Sequence, residues 1–414
     1  MPVRKNVSDT GTNTTSLLPE HWQVLYSIHD LTDAQRSKVF RNVATPFNSF
    51  EFLSALEDSG SIGKHTGWLP EYLLFENKGQ CGLLLGYKKT NSYGEYVFDW
   101  AWADAYHRNG IEYYPKYTIA IPYSPIPCSK WIGNSSLSID SALGVANHYA
   151  NQKGYSGCHL LFLEDLATKT LPEANQSFIR RVGNQFHWFN NRTIVTTDSL
   201  AGALDIEPES YFQDFDDFLS VLTARKRKMI KKERNKVSQL FSFYWKRGNE
   251  ITDDELEAFY LSYQSTYLKR GRAGYLNKTF FKQIFSTIAN KVRLLLCNYE
   301  DKVVASALYF VDGETLYGRY WGALGEFEQL HFEACYYQGI EFCIEHKLKR
   351  FNPGTQGEHK IARGFKPIET NSLHTLALEP FHNAVEQFCI EEALHNSNYM
   401  QACDERLPYK KADN

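Results

Sequence analysis

Apolar positions recur along the chain in two series that run in the same order. In the first, PFNSFEFLSALE (46–57) is helical in spacing and is followed by strand-like EYLLFE (71–76), CGLLLGYKK (81–89) and YVFDWAWA (96–103). In the second, YLNKTFFKQIFS (275–286) is followed by VRLLLCNYE (292–300), KVVASALYFV (302–311) and LYGRYWGA (316–323). Each series predicts a helix and then three strands joined by short turns. An internal repeat of this size decides architecture before any motif does.

Both series continue with a helix and a further strand. Phe332, Cys335, Tyr336, Gly339, Ile340, Cys343 and Ile344 fall on one helical face, with Glu333, Gln338, Glu341 and Glu345 opposite. The first-half counterpart uses Ile139, Ala142, Leu143, Ala146 and Ala150 and precedes the apolar CHLLFLED (158–165). Thr32-Asp-Ala-Gln35 and Thr252-Asp-Asp-Glu255 fit the capping box and predict two helix starts. A meander, a helix and a parallel return strand, occurring twice, predict an α+β protein of two packed domains. The expected layout is a disordered tail over 1–18, a first domain over 19–200, a second over 201–400 and a C-terminal tail over 401–414. The boundary falls near 195–212, where Gly202, Pro208 and several acids cluster.

Composition narrows the function classes. Hydrophobic residues make up 43% and aromatic residues 15% of the 414, enough for a large core and too much for a disordered chain. The formal net charge of −3 excludes attraction of the whole protein to a polyanion, so any such contact must be local. No apolar run approaches the ~20 residues of a membrane span, and the first residues lack an apolar signal region, so the expected location is the cytoplasm. The eight cysteines are scattered without a CxxC, which argues against a disulfide framework or a zinc ribbon.

Three segments carry candidate chemistry. Arg225 to Lys236 holds eight basic residues and one acid, Glu233; helical spacing spreads the charge over more than one face and suits tRNA or the phosphates of a carrier. In FNPGTQGEHKIARGF (351–365), glycines interrupt the return strand, and Glu358, His359, Lys360 and Arg363 follow at once. An acid or imidazole beside cations suits acyl transfer, in which an amine loses a proton and an oxyanion needs a counter-charge. The third segment, 95–117, holds Asp99, Trp100, Asp104, Tyr113, Tyr114 and Lys116. Alternation along an expected strand sets Asp99 on one face and Trp100 and Asp104 on the other. Ser61-Ile-Gly-Lys-His65 fails as a P-loop, and no G-x-S-x-G or G-x-G-x-x-G occurs.

GEYVFDWAWADAY (94–106), YYPK (113–116), RKRKMIKKER (225–234) and above all GTQGEHKIARGF (354–365) resemble the FemAB-like family, associated with peptidoglycan biosynthesis or recognition and placed among the GCN5-related N-acyltransferases. The resemblance implies two tandem acyltransferase (GNAT-like) domains, with the donor lying where the strands before and after the long helix splay apart, between 316–323 and 351–358. It implies Gly322, Gly325 and Arg363 near the donor; the residues themselves suggest Glu358 or His359 as base, Lys360 as electrostatic stabiliser, and Asp99, Trp100, Asp104, Tyr113, Tyr114 and Lys116 at the acceptor. The expected activity is N-acyl transfer from acyl-CoA or aminoacyl-tRNA to an amine such as that of a peptidoglycan precursor, with no tightly bound cofactor and no metal. The alternative is a protein that recognises a glycan or precursor without turnover. GALGEFEQ (322–329) departs from the Gln/Arg-x-x-Gly-x-Gly/Ala pyrophosphate loop of acetyl-CoA enzymes.

Overall fold

A computed structural model describes residues 17–163, 177–192, 208–355 and 357–410. Most of the expected tail and boundary lie outside these residues. Among the described residues, fifteen strands form two sheets. The smaller has the order β1 (Trp22–Leu25), β3 (Tyr72–Asn77), β4 (Gln80–Leu84), β7 (Trp131–Gly133). The larger runs β10 (Ser242–Arg247), β11 (Val292–Tyr299), β12 (Lys302–Val311), β13 (Thr315–Ala323), β14 (Arg350–Asn352), β9 (Ile179–Phe189), β15 (Lys366–Leu376), β8 (Gly157–Leu163), β6 (Lys116–Ile119), β5 (Gly86–Lys89), β2 (Trp68–Pro70).

The repeat is present, and its halves exchange strands. β9 precedes the second half in sequence yet pairs with β14, while β15, last in the chain, pairs with β8 of the first half. β9 and β15 then pair with each other from Lys366↔His187 to His374↔Ile179, closing one continuous eleven-stranded sheet. The two parallel pairs, β6 with β8 and β13 with β14, flank this exchanged seam, and each is connected through a helix, Ile139–Gln152 or the Leu330–Glu345 run. A crossover through a helix is the connection a parallel pair requires.

Both expected capping boxes form. Thr32 and Thr252 each accept from the amide three residues on, and Gln35 and Glu255 return a side-chain oxygen to the cap amide. The halves also share a core: Phe47 lies 5.0 Å from Phe310 and Phe52 lies 5.4 Å from Phe280, centroid to centroid. Burying such rings at the junction stabilises the two halves together.

Three expectations change. Residues 96–103 are not a strand: the chain turns through Tyr96 to Asp99 and then forms the helix Trp100–Arg108, which buries Trp102 and Tyr106. Those two are four apart among three alanines, so the helical period and propensity outweigh the short alternation. The run 81–89 splits at Leu85, with β4 in the small sheet and β5 in the large one. Residues 401–410 are not a free tail: Cys403 is buried at the end of the Glu379–Asp404 helix, which packs on β9 and β15, and Tyr409 donates to Gly364 O at 2.6 Å.

The helix Asp253–Leu268 lies across β12 and β13, and Gly322 is where its backbone comes closest. A Cβ at Gly322 would strike the Ser262 carbonyl, which cannot move without the helix. Gly322→Ala is expected to destabilise the fold by about 1–3 kcal/mol, measured by denaturant unfolding, with the m-value unchanged.

Candidate active site

The site begins where a strand pair stops. β13 and β14 are in parallel register only at Thr315↔Arg350, Leu316↔Phe351 and Tyr317↔Asn352. Pro353 then removes a ladder donor and Gly354, at φ 92°, turns the chain away, while β13 continues to Ala323. The strands part around a cavity of about 510 Å³. Its walls are Gly318–Trp321 of β13, Tyr263, Thr266 and Tyr267 of the overlying helix, His331, Cys335 and Tyr336 of the crossover helix, and His359 and Lys360. Gly357, at φ 116°, lets the loop fold back; a Cβ there would meet the His359 ring. The 3-10 helix Glu358–Arg363 starts at this glycine.

The electrostatics of the cavity are one-sided. Lys360 is 1% exposed and donates to Gly354 O at 2.8 Å and Thr355 O at 3.0 Å. Burial, helped by the charge of Arg319, pushes its ammonium down to about 7. Arg319 is pushed down to about 10 by burial. His331 falls to about 4 through burial and the charges of His359, Lys360 and Arg363. His359 is also lowered, by burial and then Lys360, and its Nε2 lies 2.6 Å from the Tyr336 hydroxyl. Among the described residues that line the cavity there is no Asp or Glu. Burial raises the Cys335 thiol well above its usual value, so it is no ready nucleophile.

The residues singled out in sequence disperse. His359 and Lys360 face this cavity, but Glu358 lines a second one of about 390 Å³, where it meets Tyr399 at 3.1 Å and Arg406 at 3.6 Å. The cavities share Tyr96, Thr355 and Gly357 as their common wall. Arg363 is buried, donates to His359 O at 2.8 Å and pairs with Glu233 at 2.8 Å, its guanidinium 3.6 Å from the Phe332 ring. It holds His359 and the basic helix rather than a phosphate. Gly322 is covered by the Ser262 backbone, and Gly325 lines a neighbouring groove with Glu326 and Glu328.

Asp99, Tyr113 and Lys116 do meet, as a buried network. Lys116 donates to Asp99, to Glu95 at 2.8 Å and to Ser92 at 3.1 Å, and Tyr113 donates to Asp99 at 2.7 Å. Burial pushes Asp99 up, but Lys116 and its hydrogen bonds outweigh it and hold the carboxyl near 2. Tyr114 joins through Ser92 at 2.8 Å. Trp100 is exposed, and Asp104 pairs only with Arg108, at 3.2 Å on the helix surface. The network positions the 92–99 turn, which carries Tyr96 to the wall between the cavities.

The first half has the equivalent strand pair, β6 with β8. Past Ile119↔Leu160, the 121–130 loop fills the gap, and Lys130 donates to Ile126 O at 3.0 Å, Cys128 O at 2.7 Å and Phe162 O. The basic helix, Ala224–Ser238, is partly neutralised: Lys231 pairs with Asp216, Arg234 with Glu333 and Glu341, Lys236 with Glu328. Arg225, Lys226, Arg227, Lys228 and Lys232 have no acidic partner among the described residues. Sequence reasoning missed Arg319, Tyr336 and His331; the first sits in a strand that reads as core and the other two on a helix face that reads as packing.

Two α+β halves, each with a parallel strand pair bridged by a helix and one pair splayed around a cavity, define a tandem GCN5-related N-acyltransferase fold. The chain belongs to the FemAB-like family, described as peptidoglycan biosynthesis/recognition, whose family model matches residues 16–411. No curated protein sequence matches it significantly. Solved structures similar to it include the C-terminal domain of a putative lysylphosphatidylglycerol synthetase from Agrobacterium fabrum, 8% identical over 87% of this chain and 96% of that one, with a TM-score of 0.49. FemX is 10% identical over 88% and 99%, TM-score 0.48, and a tandem GNAT protein from the clavulanic acid biosynthesis pathway 9% over 86% and 98%, TM-score 0.42. At these values no residue role is carried across. Among the described residues, no helix is long and apolar enough to cross a membrane.

Replacing Lys116 by Met leaves Asp99 and Glu95 buried without their cation, and breaking a buried pair costs about 3–5 kcal/mol. The expected result is a large loss of unfolding free energy at pH 7. Asp99 is depressed in the folded state, so its share of wild-type stability is present above the unfolded value near 4 and is lost as pH falls towards 2. The variant should lack that acid-side loss, as read by chemical unfolding across pH.

Proposed function

We propose that the protein transfers an acyl or aminoacyl group from an activated ester to an amine, with the reacting carbonyl held in the gap between β13 and β14. The observation that carries this reading is Lys360, a buried cation fixed by two carbonyls at the edge of a cavity with no acid in its lining. The amine nitrogen attacks the carbonyl carbon, and the C=O electron pair moves to oxygen. Lys360 stabilises that oxyanion in a site of low dielectric, where such a charge acts most strongly. His359, neutral near pH 7 and oriented by Tyr336, takes the proton of the attacking amine. Collapse of the intermediate expels the alkoxide or thiolate, which picks up a proton and leaves.

The donor favoured is aminoacyl-tRNA rather than acyl-CoA. Glu326 and Glu328 occupy the loop before the crossover helix, where a pyrophosphate would meet helix-terminal amides, and their charge opposes it. The five unmatched cations of the basic helix supply a surface for a polynucleotide backbone. The acceptor favoured is an amine of a peptidoglycan precursor, in keeping with the family. The second cavity, rich in neutral amides (Asn184, Gln185, Asn371, Asn396), favours a role in recognition of peptide or sugar, and without turnover this would be the protein's whole activity.

Transfer of a labelled aminoacyl group from tRNA to muropeptide precursors tests the proposal. Lys360→Met should lower kcat/KM by about 10²–10³-fold, with the fold intact. Because the protonated form of Lys360 is the active one, kcat/KM should fall as pH rises through about 7, and Lys360→Arg should move that limb to higher pH. A rate that rises through the same range would make Lys360 a base, and an unchanged rate in Lys360→Met would remove it from the chemistry.

A further inference from the structure

We infer that the cavity between β13 and β14 receives a substrate bearing a carboxylate, paired there with Arg319. This rests on the transferase reading for what reacts in the cavity, but the pairing itself is argued from the unpartnered edge of Arg319 and the lining of that cavity.

Two guanidiniums of this protein meet a carboxylate through the edge formed by Nε and Nη2. Arg181 donates from Nε and Nη2 to the two oxygens of Glu392 at 2.7 and 2.9 Å. Arg234 donates from Nε and Nη2 to Glu333 at 3.2 and 3.0 Å. In Arg319 that edge is free: among the described residues neither its Nε nor its Nη2 has a hydrogen-bond partner. Only Nη1 is engaged, with the Gly318 carbonyl at 3.1 Å. The ring contacts of Arg319, to Phe47 at 5.5 Å and Tyr317 at 5.7 Å, bring no counter-charge.

Other cations meet acids or backbone carbonyls: Lys116 meets Asp99 and Glu95, Arg363 meets Glu233, Arg234 meets Glu333, and the buried Lys130 meets three backbone carbonyls. Arg319 and Lys360 face one cavity together with His331 and His359, and no acid among the described residues lines it. A desolvated guanidinium without a counter-ion is unfavourable unless a ligand supplies one, and its planar edge selects two coplanar oxygens over a single anion. The free edge is screened from solvent in this structure, and pairing with a carboxylate requires the guanidinium to turn towards the cavity that its residue lines. An amino acid or short peptide with a free carboxylate, its amine directed at the carbonyl beside Lys360, fits these constraints.

The test is calorimetric and ligand-observed NMR titration of the full chain with alanyl-alanine and with alanyl-alaninamide, which differ only in the charge of that end. The acid should bind at least tenfold more tightly than the amide, and Arg319→Gln should abolish the difference by weakening the acid alone. Arg319→Lys, which keeps the charge and loses the edge, should fall between, and guards against loss of fold in the first variant. Equal binding of acid and amide, undiminished binding of the acid by Arg319→Gln, absence of binding by either up to about 20 mM, some 20-fold above a millimolar Kd, or stronger binding of inorganic phosphate than of the dipeptide would each overturn the inference. Should the acid depend on Arg319 while Lys360→Met transfers at full rate, the transfer reading falls and the carboxylate site stands; the reverse result removes the carboxylate site alone.

Discussion

The divergence of β13 from β14 is the constraint on which the rest of the structure depends. Two parallel strands that part leave backbone groups and a cavity inside a sheet, which is stable only if both strands are held from their outer sides. β12 pairs along β13 on one side, and the exchanged β9 holds β14 on the other. β9 is itself locked by its long pairing with β15, which reaches back to β8 of the first half. The opening is therefore braced by strands from both halves of the chain, and neither half closes its sheet alone.

The halves use one architecture for different ends. In the first, the same strand pair is sealed by the 121–130 loop and Lys130, whose ammonium meets three backbone carbonyls, and buried charge is neutralised in the Lys116, Asp99 and Glu95 network. In the second, the gap stays open and its charge stays unbalanced, with Lys360 held by carbonyls and Arg319 by aromatic rings. Charge neutralised at the Lys116 network gives a rigid turn, and that turn carries Tyr96 to the wall of the cavity where charge is left over. Stability and chemistry are thus divided between the copies of one repeat.

The second half was largely legible because its strands are long and apolar: 302–311 was bounded as observed, and 292–300 and 316–323 each missed by one residue. The first half was harder for physical reasons. Leu84 and Gly86 look continuous although the chain changes sheets between them, and Trp100 to Arg108 alternates long enough to resemble a strand. The C-terminal helix buries only Val385, Cys389 and Cys403 over its whole length, too sparse a stripe to see. At the site, the acid, imidazole and cations of 358–363 were visible as a cluster. A 3-10 helix, at three residues per turn, sends neighbours in different directions, so Glu358 enters one cavity, His359 another, and Arg363 turns to Glu233. Composition cannot show that divergence, nor that Arg319 in a core-like strand lacks a counter-ion.

The most direct measurement is a crystal structure with a stable aminoacyl-amide analogue of the 3′ end of charged tRNA. The account predicts the analogue's carbonyl oxygen in the gap between β13 and β14, within hydrogen-bonding distance of Lys360 Nζ, with His359 beside the approach of the amine. An analogue seated only in the cavity lined by Glu358, or against the first half, would contradict it.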